Sequence, residues 1–214
     1  MSNRFLAILI AIIIGAGAIF WFTRNKASTP TSNSSSSSQT TNHVMGSGTK
    51  GVTFIEYGDY QCPVCGSYYP LVKSVVDKYK NDIYFQFRNF PLVQIHQNAF
   101  AGARAAEAAD KQGKFWEMHD MLYEQQTTWS QSSNPKIYFD NYAQQLGLNV
   151  AKFDQDYASS EVNNLINADL KAAQDLGATG TPTFVINGKK VEDNPRDEAG
   201  LEKLITDAIA AKPQ

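Results

Sequence analysis

The apolar and polar positions divide the chain into three regions. The first is an unbroken apolar run from Phe5 to Phe22, about 18 residues, which at about 1.5 Å per residue nearly spans a hydrocarbon core of about 30 Å. It predicts a transmembrane signal-anchor helix over residues 5–22, after a short N-terminal segment, 1–4. A cleaved signal peptide is the alternative, because Ala16-Gly17-Ala18 resembles a small-residue cleavage site. The run is longer than a usual signal-peptide core, which favours the anchor.

The second region, residues 23–50, is polar and rich in Ser and Thr, with Ser34 to Ser38 uninterrupted. A segment of this composition does not bury enough apolar surface to order itself. We therefore predict a flexible linker, and we interpret His43 within it as a solvated linker residue.

The third region, residues 51–214, alternates strand and helix patterns, which is typical of an α/β domain. Short β-type runs are predicted near residues 52–57, 83–87 and 183–186, and the last is followed by Asn187-Gly188, a hairpin-turn signal. Amphipathic helical spacing follows the first strand from residue 63 to 80 and closes the chain from residue 201. The two ends thus contribute the sheet, and a mostly helical insertion of about residues 95–177 lies between them.

Charge and cysteine content narrow the possible chemistry. The net charge is −2 and the basic residues form no stripe, so we expect no nucleic-acid partner.

The chain has two cysteines, Cys62 and Cys65, in the sequence Cys-Pro-Val-Cys. A disulfide across so short a loop removes little entropy from the denatured state, so it contributes little to the stability of the fold. Its position between a strand and a helix is typical of a redox motif. An inert disulfide and a zinc site are the alternatives; the zinc site is disfavoured because structural zinc needs four ligands.

Several segments together resemble DsbA-type thioredoxin-fold proteins, and in particular the branch with membrane-tethered, BdbD-like oxidases. They are the strand–Cys-Pro-Val-Cys–helix start and the segments 88–92, 113–119 and 180–183, reading RNFPL, GKFWEMH and GTPT. The resemblance covers about residues 51–212. It implies a thioredoxin fold with the helical insertion between an N-terminal βαβ part and a C-terminal ββα part, preceded by the single transmembrane helix.

The position of the cysteines assigns their chemistry. At the N-terminal end of a helix, free N–H groups and the helix dipole stabilise a thiolate, so Cys62 is the predicted nucleophile. Cys65, one turn later, is expected to be more buried and to resolve the mixed disulfide. Val64 stands where DsbA-type proteins often carry His, and a neutral side chain there predicts a weaker oxidant.

The resemblance adds three further residues to the predicted site. Pro182 is expected to follow a cis bond and to hold the backbone of Thr181 beside Cys62, where an extended substrate could pair with it. Glu56 is the candidate proton relay for Cys65, since a buried carboxyl has a raised pKa; Asp59 is the second candidate, more simply read as a loop residue. His96 and His119 are interpreted as structural.

These assignments predict an extracytoplasmic thiol:disulfide oxidoreductase that donates the Cys62–Cys65 disulfide to folding secreted or surface proteins. We expect a monomeric protein that crosses the bacterial cell membrane once. Its catalytic domain is expected to lie outside the cytoplasm. The disulfide itself is the redox centre, so no further cofactor and no metal are expected. A quinone-linked membrane partner of the DsbB or VKOR type would reoxidise it. A reductase or isomerase in the same compartment, or a redox-inert scaffold, are the alternatives.

Overall fold

The structure is a computed structural model that describes residues 39–212. The predicted anchor helix and most of the predicted linker lie outside the described residues. The described part contains five strands: β1 His43–Met45, β2 Val52–Gly58, β3 Ile83–Asn89, β4 Thr183–Ile186 and β5 Lys189–Lys190. It also contains eight helices: α1 Pro63–Tyr79, α2 Ala99–Asp110, α3 Phe115–Glu124, α4 Gln126–Trp129, α5 Lys136–Gln145, α6 Val150–Tyr157, α7 Ser160–Asp175 and α8 Glu198–Ala210. Within residues 39–212, no helix is both long and apolar enough to cross a membrane.

The strands form one sheet in the order β1-β3-β2-β4-β5. Strand β2 pairs in parallel with β3 and antiparallel with β4, so it is central in the sheet and buried over most of its length. Val52 and Phe54 face the core formed with α1 and α8, whereas Tyr57 packs with residues of α7 on the opposite face. Glu56 follows Phe54 by two positions, so the period of two places its carboxyl on the same face as α1.

The short hairpin between β4 and β5 has the predicted turn. Asn187 and Gly188 have φ values of 50° and 78°, and Ile186 pairs with Lys189 across them. Both turn residues adopt the left-handed region that a two-residue hairpin needs, where Asn and Gly are the residues tolerated best. The predicted two-part sheet with helices between its halves is confirmed.

The prediction that residues 23–50 form a linker throughout is wrong for its last part. His43–Met45 forms the edge strand β1, antiparallel to β3, with His43 opposite Phe87. The side chain of His43 is 7% exposed and its ring stacks on Phe115 at a centroid distance of 3.5 Å. The local composition is polar, but the edge of β3 offers unpaired backbone groups that a short strand satisfies. The folded unit therefore begins before residue 51.

The helical insertion packs beside the N-terminal end of α1. Its aromatic and aliphatic side chains form a core that also contains Cys62 and Cys65. Trp129, Phe139 and Phe153 are its largest fully buried side chains from the insertion. The two cysteines therefore lie at the boundary between the sheet layer and the helical insertion.

Candidate active site at the start of helix α1

Cys62 occupies the position immediately before α1, with Pro63 as the first helical residue. Its backbone is extended (φ −66°, ψ 120°), and no side chain caps the helix there. Pro63 costs no hydrogen bond at this position because the first helical N–H groups have no partner within the helix. The free N–H groups and the positive end of the dipole are thus directed at the Cys62 sulfur.

The structure contains both cysteines as free thiols, and their environments separate their pKa values. A hydrogen bond from Cys65 lowers the pKa of Cys62 to about 5, although partial burial acts in the opposite direction. Hydrogen bonds from Thr181 and from the backbone N–H groups of Val64 and Cys65 lower this pKa further. Burial, then the hydrogen bond to Cys62 and the negative charge on Cys62, raise the pKa of Cys65 well above its usual value. At neutral pH the pair is therefore one thiolate, Cys62, and one thiol, Cys65. This asymmetry is what a nucleophile with a resolving partner requires.

Thr181 and Pro182 lie next to Cys62, as the sequence analysis predicted. The Thr181–Pro182 peptide bond is cis, and the sulfur of Cys62 lies 3.6 Å from the carbonyl oxygen of Thr181. The hydroxyl oxygen of Thr181 is buried without a hydrogen-bond partner among the described residues. A hydroxyl in this position is free to donate to the Cys62 thiolate.

Glu56 is buried on β2, with 2% of its surface exposed. One of its carboxylate oxygens, Oε1, has no hydrogen-bond partner among the described residues. Burial, followed by the negative charge on Cys62, raises its pKa to about 8. Glu56 also raises the pKa of Cys65 through its charge. A carboxyl that titrates near neutral pH beside a buried thiol has the property of a proton relay.

Asp59, the second relay candidate, is instead committed to local structure. Its carboxylate accepts hydrogen bonds from the backbone N–H groups of Gln61 (2.8 Å) and Leu92 (2.9 Å). The Nδ1 atom of His96 lies 2.7 Å from the same carboxylate. Asp59 thus joins the loop before Cys62 to the loop after β3, and His96 has a structural contact through this side chain.

His119 is buried among aromatic rings, and its Nδ1 atom lies 3.1 Å from the hydroxyl of Tyr60. Burial, and then the positive charges of Lys73 and His43, lower its pKa to about 3, so the ring is neutral. The interpretation of His119 as a structural residue agrees with this packing.

Two glutamines that the sequence analysis missed fix the loop that carries Cys62. Gln126 donates from Nε2 to the carbonyl oxygens of Tyr60 (2.8 Å) and Cys62 (2.9 Å). Gln61 donates to the carbonyl of Ser130 and accepts from the backbone N–H of Asn98, both at 2.6 Å. Each bond joins this loop to the helical insertion. A glutamine carries no sequence signal for such a contact, because its partners are distant backbone atoms.

His43 takes part in a polar cluster distinct from the cysteines, with Glu107 buried and Asp110 exposed. Its Nε2 atom donates to Glu107 at 2.8 Å, and Nδ1 lies 3.4 Å from Asp110. Ligand atoms of these three residues lie within 4.8 Å of one another, so they could approach a metal ion. Burial lowers the pKa of His43, but hydrogen bonds to Asp110 and Glu107 outweigh it and raise the pKa to about 9. The protonated imidazole therefore already supplies the positive charge that this cluster needs.

A groove of about 800 Å³ runs beside the cysteine motif. Its walls include Val64, Tyr68, Thr181, Pro182 and Arg196. Val64, between the cysteines, is half exposed at its rim. A volume of this size is typical of a ligand-binding cleft, and Thr181 on its wall contacts the sulfur of Cys62.

Comparison with known proteins agrees with this architecture. A sequence profile of the family described as Thioredoxin matches residues 38–207. Among solved structures, a thioredoxin-like oxidoreductase from Silicibacter pomeroyi DSS-3 superposes with a TM-score of 0.66 at 28% identity, covering 79% of this chain and 92% of that one. BdbD from Bacillus subtilis gives a TM-score of 0.68 at 23% identity, with 78% and 92% covered. At this identity the BdbD likeness shows the fold.

Curated relatives extend well beyond the present chain. A Na(+)/H(+) antiporter NhaA 1 of Salinispora arenicola is 36% identical over 168 residues, which cover 78% of this chain and 25% of that protein. One from Mycobacterium sp. (strain KMS) is 35% identical over 165 residues, covering 76% and 26%. This chain thus spans about a quarter of the length of these relatives. With a family match over most of its length and with this fold, the chain belongs to the thioredoxin family and shares its architecture with DsbA- and BdbD-type proteins.

Proposed function

We propose that this protein is a thiol:disulfide oxidoreductase that works outside the cytoplasm and donates the Cys62–Cys65 disulfide to folding secreted or surface proteins. The observation that carries the proposal is the asymmetric pair at the start of α1. The pKa of Cys62 is lowered to about 5, whereas that of the buried Cys65 is raised. A thiol of low pKa is a good leaving group, so Cys62 is readily released from a mixed disulfide with the substrate, and its stable thiolate favours the reduced pair over the disulfide.

The reaction is two successive exchanges. A substrate thiolate attacks the sulfur of Cys62, the Cys62–Cys65 bond breaks, and Cys65 leaves and takes up a proton. A second substrate thiolate then attacks the substrate sulfur of the mixed disulfide and releases Cys62 as a thiolate. The substrate is oxidised by two electrons and the cysteine pair is reduced by two, so no further cofactor is required. Thr181 offers its backbone beside Cys62 for pairing with the extended substrate.

The same chemistry supports the proposed compartment and partner. A protein whose work is to make disulfides belongs in an oxidising compartment, and the apolar run at residues 5–22 would hold it at the bacterial cell membrane. Its reduced pair would then be returned to the disulfide by a quinone-linked membrane protein of the DsbB or VKOR type. A structure with a similar fold, alpha-DsbA2 from Wolbachia pipientis, is described as a thiol-disulfide exchange protein.

The test is the equilibrium redox potential of the Cys62–Cys65 pair, measured on the full-length chain in glutathione buffers. A value above roughly −170 mV supports disulfide donation. A redox potential of about −270 mV would mean that the dithiol is the stable form and that the protein is a reductase. A Cys65→Ala variant distinguishes the inert scaffold, since an active protein accumulates mixed disulfides through Cys62 and an inert one does not.

A further inference from the structure

Asn194 lies on the wall of the groove beside the cysteines, in the loop between β5 and α8. Its Nδ2 atom donates to the backbone carbonyl oxygen of Pro182 at 2.7 Å. The residue before that proline, Thr181, contacts the sulfur of Cys62. One side chain therefore joins the loop before α8 to the segment that contacts the reacting sulfur.

The loop that carries Asn194 is fixed on both sides. Before it, the backbone N–H of Val191 donates to the carbonyl oxygen of Phe184 at 2.9 Å. After it, Pro195 packs so closely on α8 that a Cβ atom at Gly200 would lie 2.5 Å from the Cβ of Pro195. A proline also restricts the backbone of the residue before it, which here is Asn194. The amide is thus presented from a well-supported position.

The same loop contacts the helix that carries the cysteines. The hydroxyl of Tyr68 lies 3.4 Å from the backbone carbonyl oxygen of Asn194. Tyr68 is buried on α1, and its ring packs edge-on against Phe184 at a centroid distance of 5.6 Å. It follows Cys65 by three residues, about one helical turn. Asn194 therefore bridges the two walls of the groove, α1 on one side and the Thr181–Pro182 segment on the other.

The oxygen end of the Asn194 amide points to a functional reason for this residue. Its Oδ1 atom is buried and has no hydrogen-bond partner among the described residues. Only the nitrogen end of an amide can donate to the Pro182 carbonyl, so this bond decides which end is left unpaired. An unpaired buried acceptor loses its contact with water without compensation, a cost that an apolar side chain would avoid. Local costs of this kind are typical of functional sites.

We propose that Asn194 is a positioning residue for disulfide exchange, which holds the Thr181–Pro182 segment against Cys62 through the carbonyl of Pro182. This role rests on the proposed function, because that segment is the edge offered to the extended substrate. With the Pro182 carbonyl fixed, Thr181 keeps its contact with the Cys62 sulfur. Its backbone also stays in one arrangement for pairing, so less freedom is lost when a substrate binds. Asn194 acts through Thr181 and touches none of the reacting atoms.

The first test is the pKa of Cys62 in the reduced full-length chain, followed by thiolate absorbance. Hydrogen bonds from Cys65 and then from Thr181 lower this pKa to about 5 against the effect of burial. Asn194→Ala should loosen Thr181 and raise the pKa by about 0.5 unit. A residue that only stabilises the fold would change the free energy of unfolding and leave this pKa where it is.

Gln112→Ala is the matched control for Asn194→Ala. The Nε2 atom of Gln112 also donates to a backbone carbonyl, that of Asn149 at 3.2 Å. Gln112 is partly exposed, as Asn194 is, and does not line the groove. Equal midpoints for the two variants would overturn the positioning role, whether or not the chain exchanges disulfides.

A double variant tests whether Asn194 acts through Thr181. In a Thr181→Val background the hydroxyl that donates to the thiolate is gone, so the rise caused by Asn194→Ala should disappear. A rise of the same size with and without that hydroxyl would contradict the proposed route through Thr181.

The second test compares two reductants of the oxidised full-length variants, a reduced two-cysteine peptide and dithiothreitol. Only the peptide has a backbone that pairs with Thr181. Asn194→Ala should therefore raise the half-saturating peptide concentration by roughly three- to tenfold. The rate constant with dithiothreitol should stay within about twofold of that of Gln112→Ala. Equal losses with both reductants would overturn the positioning role, whereas absence of exchange in the unaltered chain would remove the proposed function itself.

Asn194→Leu takes the place of Asn194→Ala if that protein does not fold. Leucine has the same branching as asparagine, fills the site and leaves no unpaired acceptor, so the fold should be retained. The variant still lacks the donor to Pro182, and we expect the same rise in the pKa of Cys62 and the same loss with the peptide. Unaltered values of both quantities in Asn194→Leu would overturn the proposal.

Discussion

The sulfur of Cys62 lies 3.6 Å from the carbonyl oxygen of Thr181, although 119 residues separate them in the sequence. The contact joins the start of α1, which stabilises negative charge, to the cis Thr181–Pro182 loop. The hydroxyl of Thr181 has no acceptor among the described residues while Cys62 is a thiol. Thr181 thus offers the thiol form of Cys62 a hydrogen-bond acceptor, its carbonyl oxygen. It offers the thiolate form a donor, its hydroxyl group.

Thr181→Val is expected to raise the pKa of Cys62 by up to about one unit, because it removes a hydrogen bond to the charged form. Thr179→Val is the control, since Thr179 lines the same groove and is exposed. The measurement is thiolate absorbance as a function of pH, which should give a midpoint near pH 5 for the unaltered chain. Identical midpoints in the two variants would show that the hydroxyl does not contact the thiolate.

Val64→His is expected to make the pair more oxidising. A protonated imidazole at this half-exposed position stabilises the Cys62 thiolate and thus the reduced form. A gain of about 1–2 kcal/mol corresponds to a rise of roughly 20–40 mV for a two-electron couple. The check is the potential in glutathione buffers, with Val64→Gln as the uncharged control. An equal shift in both variants would exclude the charge as its cause.

Glu56→Gln is expected to stabilise the reduced protein at high pH. The pKa of Glu56 is about 8 in the folded protein against 4.5 normally. The folded state therefore binds the proton more tightly, and the stabilisation present below pH 4.5 is lost as the pH rises through 8. Above pH 8 the variant should gain roughly 2–4 kcal/mol in the free energy of unfolding, measured with urea. A difference between the two proteins that does not change from pH 5 to pH 9 would contradict the raised pKa.

His43→Gln is expected to destabilise the protein most at low pH. The pKa of His43 is raised to about 9 in the folded state, so its contribution is complete below pH 6.5 and is lost as the pH rises through 9. The loss near pH 6 should be about 2 kcal/mol, and it should be smaller at pH 10. Val44→Ala is the control, because Val44 is the more exposed neighbour in the same strand. Urea unfolding at both pH values tests whether β1 is held by this charge.

Gln126→Ala is expected to lower the free energy of unfolding by about 1–2 kcal/mol, since two carbonyl oxygens lose a side-chain donor and one of them keeps only the backbone N–H of Gly66. Those carbonyls belong to Tyr60 and Cys62, so the rate of disulfide exchange should change as well. Gln125→Ala is the control because its side chain is exposed. If the two variants unfold at the same urea concentration, Gln126 does not fix the loop.

The sequence by itself determined the features that depend on local chemistry. The Cys-x-x-Cys spacing after an apolar run placed Cys62 at a helix N-terminus, and Asn187-Gly188 determined the turn between β4 and β5. These predictions hold because a few neighbouring residues decide them. The family resemblance supplied the cis proline and the buried Glu56, which local patterns do not reveal.

The tertiary structure decided what depends on distant partners. His43 sits in a polar stretch that reads as linker, but the free edge of β3 and the carboxylate of Glu107 give it a buried position. Asp59 is a plausible relay by sequence, yet its bonds to Gln61, Leu92 and His96 make it structural. Such contacts join residues far apart in the sequence, so only the packed chain fixes their partners and the resulting pKa values.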